Sequence, residues 1–272
     1  MTLRKNGDII SALDNGWVWK DLPMDAMLPQ AGCDAGCGRS NAAASVEHCK
    51  ACPVRDLAVC SSLTDDEIVH LAKFVDGQEL PTGAEIFAEG DLSHSVYTLT
   101  KGVIKTHKLM PDGRRQVTGF FFGGDFVGLA HGEECAYTAE AVGPVQVCRF
   151  DRAKFESVLE EFPQTRQRLL TDASAELAAA HNQMVLLGRK TAREKVATFL
   201  LMVDEHTARW RDDPDVLDLP MTRTDIADYL GLTTETVSRT LTQLRSEKLI
   251  AAVGSQNVRL LDRDALEDMA DG

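Results

Sequence analysis

The chain has 272 residues, a formal net charge of −13 and seven cysteines. Its length is typical of two domains, and its acidity argues against indiscriminate binding to polyanions, although a local basic face can still contact DNA phosphates. The odd number of cysteines argues against a disulfide framework, and the absence of a secretory leader pattern and of a bilayer-spanning apolar run leads us to expect a cytoplasmic protein with no membrane partner.

Residues 1–48 are weakly patterned and are predicted to be a flexible N-terminal extension. Glycine, alanine, serine and asparagine dominate the stretch from Ala31 to Ser45, which offers little apolar surface to bury. The stretch contains a C-x-x-x-C pair, Cys33 and Cys37. This pair is a weak metal signal, because ordering thiols on a flexible glycine-flanked segment costs conformational entropy.

Residues 49–62 form a cysteine-rich segment. Cys49 and Cys52 make a C-x-x-C, in which a tight turn followed by Pro53 brings two sulfurs together, and Cys60 can join them from a short helical turn. Three soft thiolates favour an iron–sulfur cluster or a zinc ion and need a fourth ligand, with scattered free thiols as the other alternative. The candidates for the fourth thiol are Cys33, Cys37, Cys135 and Cys148.

Residues 63–150 are predicted to form an antiparallel β barrel or jelly roll that follows a short helix. Thr64 and Glu67 have the spacing of a capping box at the start of that helix. The residues expected on its inner face are Ile68, Leu71, Ala72 and Val75. The segments expected to be strands, separated by glycine-bearing turns, are 85–87, 95–99, 102–109, 116–121 and 144–150. Cys148 lies on the last of them.

Residues 151–188 are predicted to be helical, with Pro163 separating a short helix from a long one. The apolar stripe of the long helix consists of Leu169, Leu170, Ala173, Leu177, Ala180, Met184 and Leu187. Steps of three and four residues suit either a coiled coil with a second copy or packing within one domain.

Residues 189–272 are predicted to form a winged helix-turn-helix domain. A helix is expected over residues 191–204, and the charged, proline-containing stretch 205–219 is expected to be a surface excursion. Near the end of the chain, short apolar runs at residues 249–254 and 257–261 predict a β-hairpin, which would be the wing.

The helix-turn-helix itself is predicted over residues 222–244. Thr222 is expected to cap a first helix, Gly231 to supply the turn, and Thr233 to cap a second helix. The inner face of the second helix consists of Val237, Leu241 and Leu244, at steps of four and three residues.

The opposite face of the second helix carries the candidate DNA contacts. Glu235, Ser238 and Arg239 share one side near its N-terminal end, where a recognition helix meets base edges in the major groove. An arginine can bond a guanine edge and a glutamate can accept from a cytosine amine. Thr233 and Thr234 complete the candidate set; the alternative is an ordinary solvated surface. Because such a reader gains specificity by pairing two half-sites, we assign the long-helix stripe to a homodimer seam.

The roll, long helix and winged helix-turn-helix, in this order, resemble the Crp/Fnr superfamily of bacterial transcription regulators. The run Gly124-Asp125-Phe126-Val127-Gly128-Leu129 and the signature Glu235-x-x-Ser238-Arg239 are similar to the Fnr branch. The C-x-x-C followed by a third cysteine is similar to that of FnrL- and FnrN-type oxygen sensors, and Cys148 falls where that family places a distant fourth ligand.

This resemblance implies an α+β fold with a cyclic-nucleotide-binding-like jelly roll, a dimerisation helix and a C-terminal winged helix-turn-helix. It also implies a 4Fe-4S cluster held by Cys49, Cys52, Cys60 and Cys148, with Cys135 a bystander. In the family, the intact cluster favours a dimer that binds an inverted repeat resembling TTGAT-N4-ATCAA, and oxygen degrades the cluster so that DNA is released. The expected partners are promoter DNA, a second copy of the chain and RNA polymerase, which we expect to meet exposed loops of the roll.

Three other functions compete with this interpretation. Cyclic-nucleotide binding needs a cationic clamp for the phosphate, but the corresponding run, Tyr137-Thr138-Ala139, contains no guanidinium. A thiol-dependent enzyme would need a base beside its nucleophile, and only His48 adjoins Cys49, so we expect no enzymatic activity. A regulator without a cluster, whose cysteines bind zinc or act as redox thiols, is the third alternative.

Overall fold

The computed structural model describes residues 42–129, 132–211, 213–254 and 256–272. Most of the predicted N-terminal extension, including Cys33 and Cys37, lies outside these ranges. The described residues belong to one compact unit, Ser40–Gly272. Within them, no helix combines the length and the apolar character needed to cross a membrane.

The first half of the described chain forms an antiparallel roll preceded by short helical segments. The helical segments are α1 (Ala42–Lys50), a 3-10 turn (Val59–Ser62) and α2 (Ile68–Ala72). The strands are β1 (Val75–Leu80), β2 (Glu85–Phe87), β3 (Ser95–Lys101), β4 (Ile104–Leu109), β5 (Arg115–Phe121), β6 (Phe126–Val127), β7 (Thr138–Ala141) and β8 (Val145–Asp151). They pair in two four-stranded sheets, in the orders β1-β8-β3-β6 and β2-β7-β4-β5. The predicted jelly roll is therefore confirmed.

The start of the roll differs from the prediction. Thr64 and Glu67 make the reciprocal bonds of a capping box, with the Thr64 amide donating to the Glu67 carboxylate over 2.8 Å. They close a turn, however, and α2 begins only at Ile68. Val75, expected on the helix, begins β1, where it pairs with Phe150. Backbone hydrogen bonds to β8 stabilise the extended conformation of Val75 more than its helical spacing stabilises a helix. Short helices are only marginally stable by themselves, so tertiary pairing commonly decides their conformation.

The second half is helical apart from a small sheet. Its elements are α3 (Arg152–Glu161), α4 (Pro163–Arg189), α5 (Ala192–Thr207), β9 (Val216–Asp218), α6 (Arg223–Leu230), α7 (Thr234–Ser246), β10 (Ile250–Val253), β11 (Asn257–Leu260) and α8 (Arg263–Asp271). The prediction of a surface excursion over residues 205–219 is partly wrong, because β9 joins the wing as a third strand and Leu217 is fully buried. The predicted α+β architecture is confirmed.

The core of the C-terminal half continues into the roll. Phe120 and Phe122 of the roll are buried in the same apolar cluster as Phe199 and Leu200 of α5, and the Phe120 and Phe199 ring centroids lie 6.0 Å apart. The winged helix-turn-helix domain therefore packs directly on the sheet that contains β4 and β5, and not only on the end of α4.

Candidate functional site

Three cysteines of one N-terminal segment and a fourth that is distant in sequence line one cavity. Cys49 lies in the last turn of α1, Cys52 follows that helix, Cys60 lies in the 3-10 turn and Cys148 lies on β8. Thr98, on the neighbouring strand β3, lines the same cavity. All four cysteines are free thiols. The structure thus brings together the four residues that the family resemblance implied, while Cys135 is buried in the separate apolar interior of the roll.

The strand register explains why Cys148 faces this cavity with room beside it. Cys148 lies opposite Gly77 on β1 and opposite Thr98 on β3. Paired residues of an antiparallel ladder project to the same face, so Gly77 contributes no side chain there and an added Cβ would meet nothing within 4 Å. The space next to the Cys148 thiol is therefore open on the β1 side.

The thiols lie close enough to influence one another's ionisation. Burial, followed by repulsion from Cys52 and Cys49, raises the pKa of Cys60 to about 12. Burial and the same two neighbours raise the pKa of Cys148. Burial also raises the pKa of Cys49 and of Cys52, the two candidate nucleophiles, and protonated thiols are poor nucleophiles. Binding of a metal group would have to displace these protons, as it does in other thiolate sites.

The donor set suits a metal group that soft thiolates bind, and both a zinc ion and an iron–sulfur cluster take such ligands. A lone zinc ion bonded at about 2.3 Å would hold four sulfurs roughly 3.8 Å apart. No group of three or more histidine, cysteine, aspartate or glutamate side chains in the described ranges is arranged to hold one metal ion. Soft thiolates are also the usual ligands of an iron–sulfur cluster. The buried Thr98 hydroxyl at the cavity, which has no hydrogen-bond partner in the described structure, adds a donor suited to sulfur.

The cysteine segment is bonded to the long helix α4. The Arg168 guanidinium donates to the Leu57 carbonyl oxygen and also pairs with Asp172. The Ser62 hydroxyl donates to the hydroxyl of Thr165 over 3.1 Å. Because Leu57 and Ser62 flank Cys60, a displacement of the thiols would be transmitted to α4 through hydrogen bonds.

A second set of contacts ties the same segment to the roll and to the end of α5. Asp56 pairs with Arg209 over 2.9 Å. Leu57 packs against Gly124, whose φ is +104°, so closely that a Cβ there would lie 2.7 Å from the Leu57 Cβ. Glycine is required at this position by the positive φ and by the close approach.

The long helix carries an exposed apolar stripe along part of its length. Leu170, Leu177 and Met184 recur every seven residues and are among the exposed large apolar side chains, with Leu177 59% exposed. A heptad repeat of this kind suits the seam of a two-stranded coiled coil. Leu186, by contrast, is buried in the C-terminal core.

The helix-turn-helix has the predicted caps and turn. Thr222 accepts from the Asp225 amide in a capping box, Gly231 ends α6 with a φ of 61°, and Thr233 accepts from the Thr236 amide at the start of α7. These caps fix where each helix begins and ends, and so how α7 projects from the domain.

The candidate DNA contacts lie on an accessible face of α7. Glu235, Ser238 and Arg239 are exposed, as is Thr233, while Thr234 is half-buried. Arg239 makes no hydrogen bond or ion pair with any residue that the structure describes, so its guanidinium is available to a base edge. Val237, Leu241 and Leu244 are buried on the inner face, as predicted.

A buried ion-pair network that the sequence did not indicate joins the roll to α6. Lys105 on β4 lies 2.8 Å from Asp225 and 2.9 Å from Glu140, and Arg115 on β5 lies 2.8 Å from Asp225 and 2.9 Å from Asp228. Burial by itself would raise the pKa of Asp225, but bonds from Lys105 and Thr222 outweigh it and hold that pKa below its usual range. Asp225 is therefore charged at neutral pH, and its contribution to stability is lost as the pH falls through this lowered pKa.

We expect Lys105→Met to destabilise the protein by about 3 kcal/mol, because it leaves buried carboxylates with one cation fewer. The side chains of Lys105 and Asp225 are only 6% and 4% exposed. Urea unfolding measures the effect. The matched control is Lys108→Met, whose pair with Glu89 is 49% and 41% exposed and should contribute less than about 1 kcal/mol. Equal urea midpoints for the two variants would show that the buried network adds nothing.

The run Tyr137-Thr138-Ala139, where the sequence lacks a phosphate clamp, lies near an acidic side chain and a guanidinium that is already bonded. Burial and the nearby Asp125 carboxylate raise the pKa of Glu176 on α4. Burial and the proximity of Glu176 also raise the pKa of Tyr137. The guanidinium of Arg152 is occupied by the carbonyl oxygens of Ser93 and Gly128. A phosphate clamp needs a cation, and neither the Glu176 carboxyl near Tyr137 nor the already bonded Arg152 guanidinium is a free one.

Comparison with known protein families places both halves of the chain. Residues 77–162 match the cyclic nucleotide-binding domain, and residues 194–269 match the Crp-like helix-turn-helix domain. The match to the first domain describes the fold of the roll.

Individual relatives cover most of the chain. It is 42% identical to the transcriptional activatory protein AadR of Rhodopseudomonas palustris, over 80% of this chain and 91% of AadR. It is 37% identical to the transcriptional activator protein FnrL of Cereibacter sphaeroides, over 80% of this chain and 89% of FnrL. The solved structure of FixK2 from Bradyrhizobium japonicum superposes with a TM-score of 0.67 at 36% identity, covering 72% of this chain and 96% of FixK2. AadR and FnrL are transcriptional activators by name, and the similarity agrees with the expectation of a regulator and not an enzyme.

Proposed function

Because the chain belongs to the Crp/Fnr family of DNA-binding transcription regulators, we propose that it is an oxygen-responsive member that holds a 4Fe-4S cluster on Cys49, Cys52, Cys60 and Cys148. The observation that supports this most strongly is the convergence of these four free thiols on one cavity. Cys148 lies 88 positions after Cys60, on the last strand of the roll. Chance is therefore a poor explanation for all four thiols lining the same cavity.

The cysteines act as a clasp between two parts of the fold. When bound, the cluster supplies an oxygen-labile link between thiolates. The thiols of Cys49, Cys52 and Cys60 hold the N-terminal segment, and the thiol of Cys148 belongs to the central strand β8. With all four engaged, the segment is fixed against the roll and keeps its bonds to α4 in place.

The bonds to α4 connect this clasp to dimerisation. Arg168 and Thr165 lie in the first turns of α4, and the exposed heptad positions begin at Leu170. If the cysteine segment is released from the roll, Arg168 loses its hydrogen bond to the Leu57 carbonyl oxygen. The part of α4 where the dimer seam begins is then less rigidly positioned. A coupling of a few kcal/mol is sufficient, since about 1.4 kcal/mol changes an equilibrium tenfold.

The dimer in turn presents two copies of α7 to DNA. Members of this family act as dimers, and we propose that Leu170, Leu177 and Met184 form the seam in this protein. Two recognition helices held at a fixed spacing match an inverted repeat resembling TTGAT-N4-ATCAA, because protein two-fold symmetry mirrors operator symmetry. We propose RNA polymerase as the further partner at promoters, contacted by exposed loops of the roll.

The test is purification without oxygen, followed by iron and sulfide analysis and an absorbance spectrum. We expect a brown protein with about four iron and four sulfide ions per chain, by the stoichiometry of the cluster. Its affinity for the inverted repeat should fall on exposure to air, together with the colour. A colourless protein with stoichiometric zinc, or one with neither metal, would favour the cluster-free alternative instead.

A further inference from the structure

We propose that the Thr98 hydroxyl donates a hydrogen bond to a sulfur atom of the group bound by the four cysteines, and thereby sets how readily that group is oxidised. The inference deepens the proposed function and rests on it. It assigns a positioning and tuning role to a residue that is not itself a ligand.

Thr98 has the one unpartnered hydroxyl among the described residues that line the cysteine cavity. It lies on β3, is 3% exposed and lines the cavity beside Cys148. Its Oγ1 is buried and has no hydrogen-bond partner. In the ladder it is directly opposite Cys148, a pairing that places two Cβ atoms about 5 Å apart on the same face.

An unpaired buried hydroxyl is costly, and valine would fill the same volume without that cost. The other threonine of the cavity shows the usual solution: Thr100 donates from its hydroxyl to the carbonyl oxygen of Gln146 over 2.9 Å. Thr98 has no such carbonyl in reach. The missing hydrogen bond of the Thr98 hydroxyl is explained if this hydroxyl donates to the group that the cavity holds.

In the cysteine cavity, the acceptor available to the Thr98 hydroxyl is a sulfur atom. Thiolate and sulfide sulfurs accept hydrogen bonds, and such bonds stabilise the more negative, reduced state of an iron–sulfur cluster and so raise its potential. Thr98 projects from the same face of the sheet as Cys148, so the hydroxyl approaches the site from the roll side. The N-terminal segment approaches from the other side.

The experiment compares Thr98→Val, Thr98→Ser and the matched control Thr100→Val, all purified without oxygen. The readouts are iron and sulfide per chain, the cluster midpoint potential by anaerobic redox titration, and the rate of bleaching in air. We expect Thr98→Val to keep its iron but to shift the redox equilibrium about tenfold towards oxidation, equivalent to about 59 mV for one electron. It should also bleach faster, while Thr98→Ser and Thr100→Val resemble the wild type.

The possible outcomes separate the two proposals. Wild-type protein without iron overturns both the cluster and the role of Thr98. An iron-loaded wild type whose potential and bleaching rate are matched by Thr98→Val overturns the role of Thr98 alone. A Thr98→Ser variant that behaves like Thr98→Val also overturns it, because serine retains the hydroxyl. Iron loss in Thr98→Val with retention in Thr98→Ser supports a hydroxyl contact. Urea unfolding of the metal-free variants checks that each one folds.

Discussion

Replacing Cys148 with serine is expected to abolish binding of the proposed cluster while leaving the fold in place. Cys148 is the one ligand of the proposed set that belongs to the roll, and without its thiolate the other three are all on the N-terminal segment. We expect iron and sulfide to fall to a small fraction of the wild-type value in protein purified without oxygen. Gel filtration under the same conditions should show a monomer where the wild type elutes as a dimer, because the clasp that supports α4 is lost.

The matched control for this variant is Cys135→Ser. Both cysteines are buried free thiols in the roll, so both substitutions place a hydroxyl in apolar surroundings at a similar cost of about 1–3 kcal/mol. Cys135 lies in the interior core of the roll, away from the four-thiol cavity. Cys135→Ser should keep its iron. If Cys148→Ser retains a full complement of iron, or if Cys135→Ser loses it equally, the ligand set is wrong.

Arg239→Ala is expected to abolish most sequence-specific DNA binding without changing the iron content. We propose that the exposed guanidinium of Arg239 bonds a guanine edge, a contact that contributes about 1–3 kcal/mol of discrimination. A dimer makes the contact twice, so the loss for a complete inverted repeat should be about 2–6 kcal/mol, because well-separated positions are roughly additive. The measurement is anaerobic fluorescence anisotropy with labelled inverted-repeat DNA.

The control for Arg239→Ala is Arg114→Ala, which removes the same charge from the turn between β4 and β5. Arg114 has an 81% exposed side chain and pairs only locally, with Asp112. It should leave binding unchanged. A duplex with scrambled half-sites separates base reading from phosphate contact: equal weakening on both duplexes would mean that Arg239 contacts the backbone. Unchanged binding to the inverted repeat would remove α7 residues Glu235, Ser238 and Arg239 as the reading face.

The helix-turn-helix was predictable because its helix caps and its turn depend on residues that are close in sequence. The caps at Thr222 and Thr233 and the left-handed Gly231 depend on interactions within a few residues, and the sequence displays those directly. Five of the eight strands of the roll were recognisable from short apolar runs and glycine turns, and β1, β6 and β7 were not predicted. The predictions failed where a residue's partner is remote in sequence. Val75 was expected on a helix but begins β1, because it pairs with β8. Leu217 was expected on the surface but is buried, because its strand pairs with β11.

The sequence by itself determined the elements: the helix-turn-helix, the heptad stripe on the long helix, and the three clustered cysteines with their soft-ligand chemistry. Only the tertiary structure decided which distant groups meet. It brought Cys148 to the other thiols, left the Thr98 hydroxyl without a partner beside them, and paired Lys105 with Asp225 across 120 positions. Strand register and domain packing fix these meetings, and both depend on the burial of the whole chain. No short stretch of sequence carries that information.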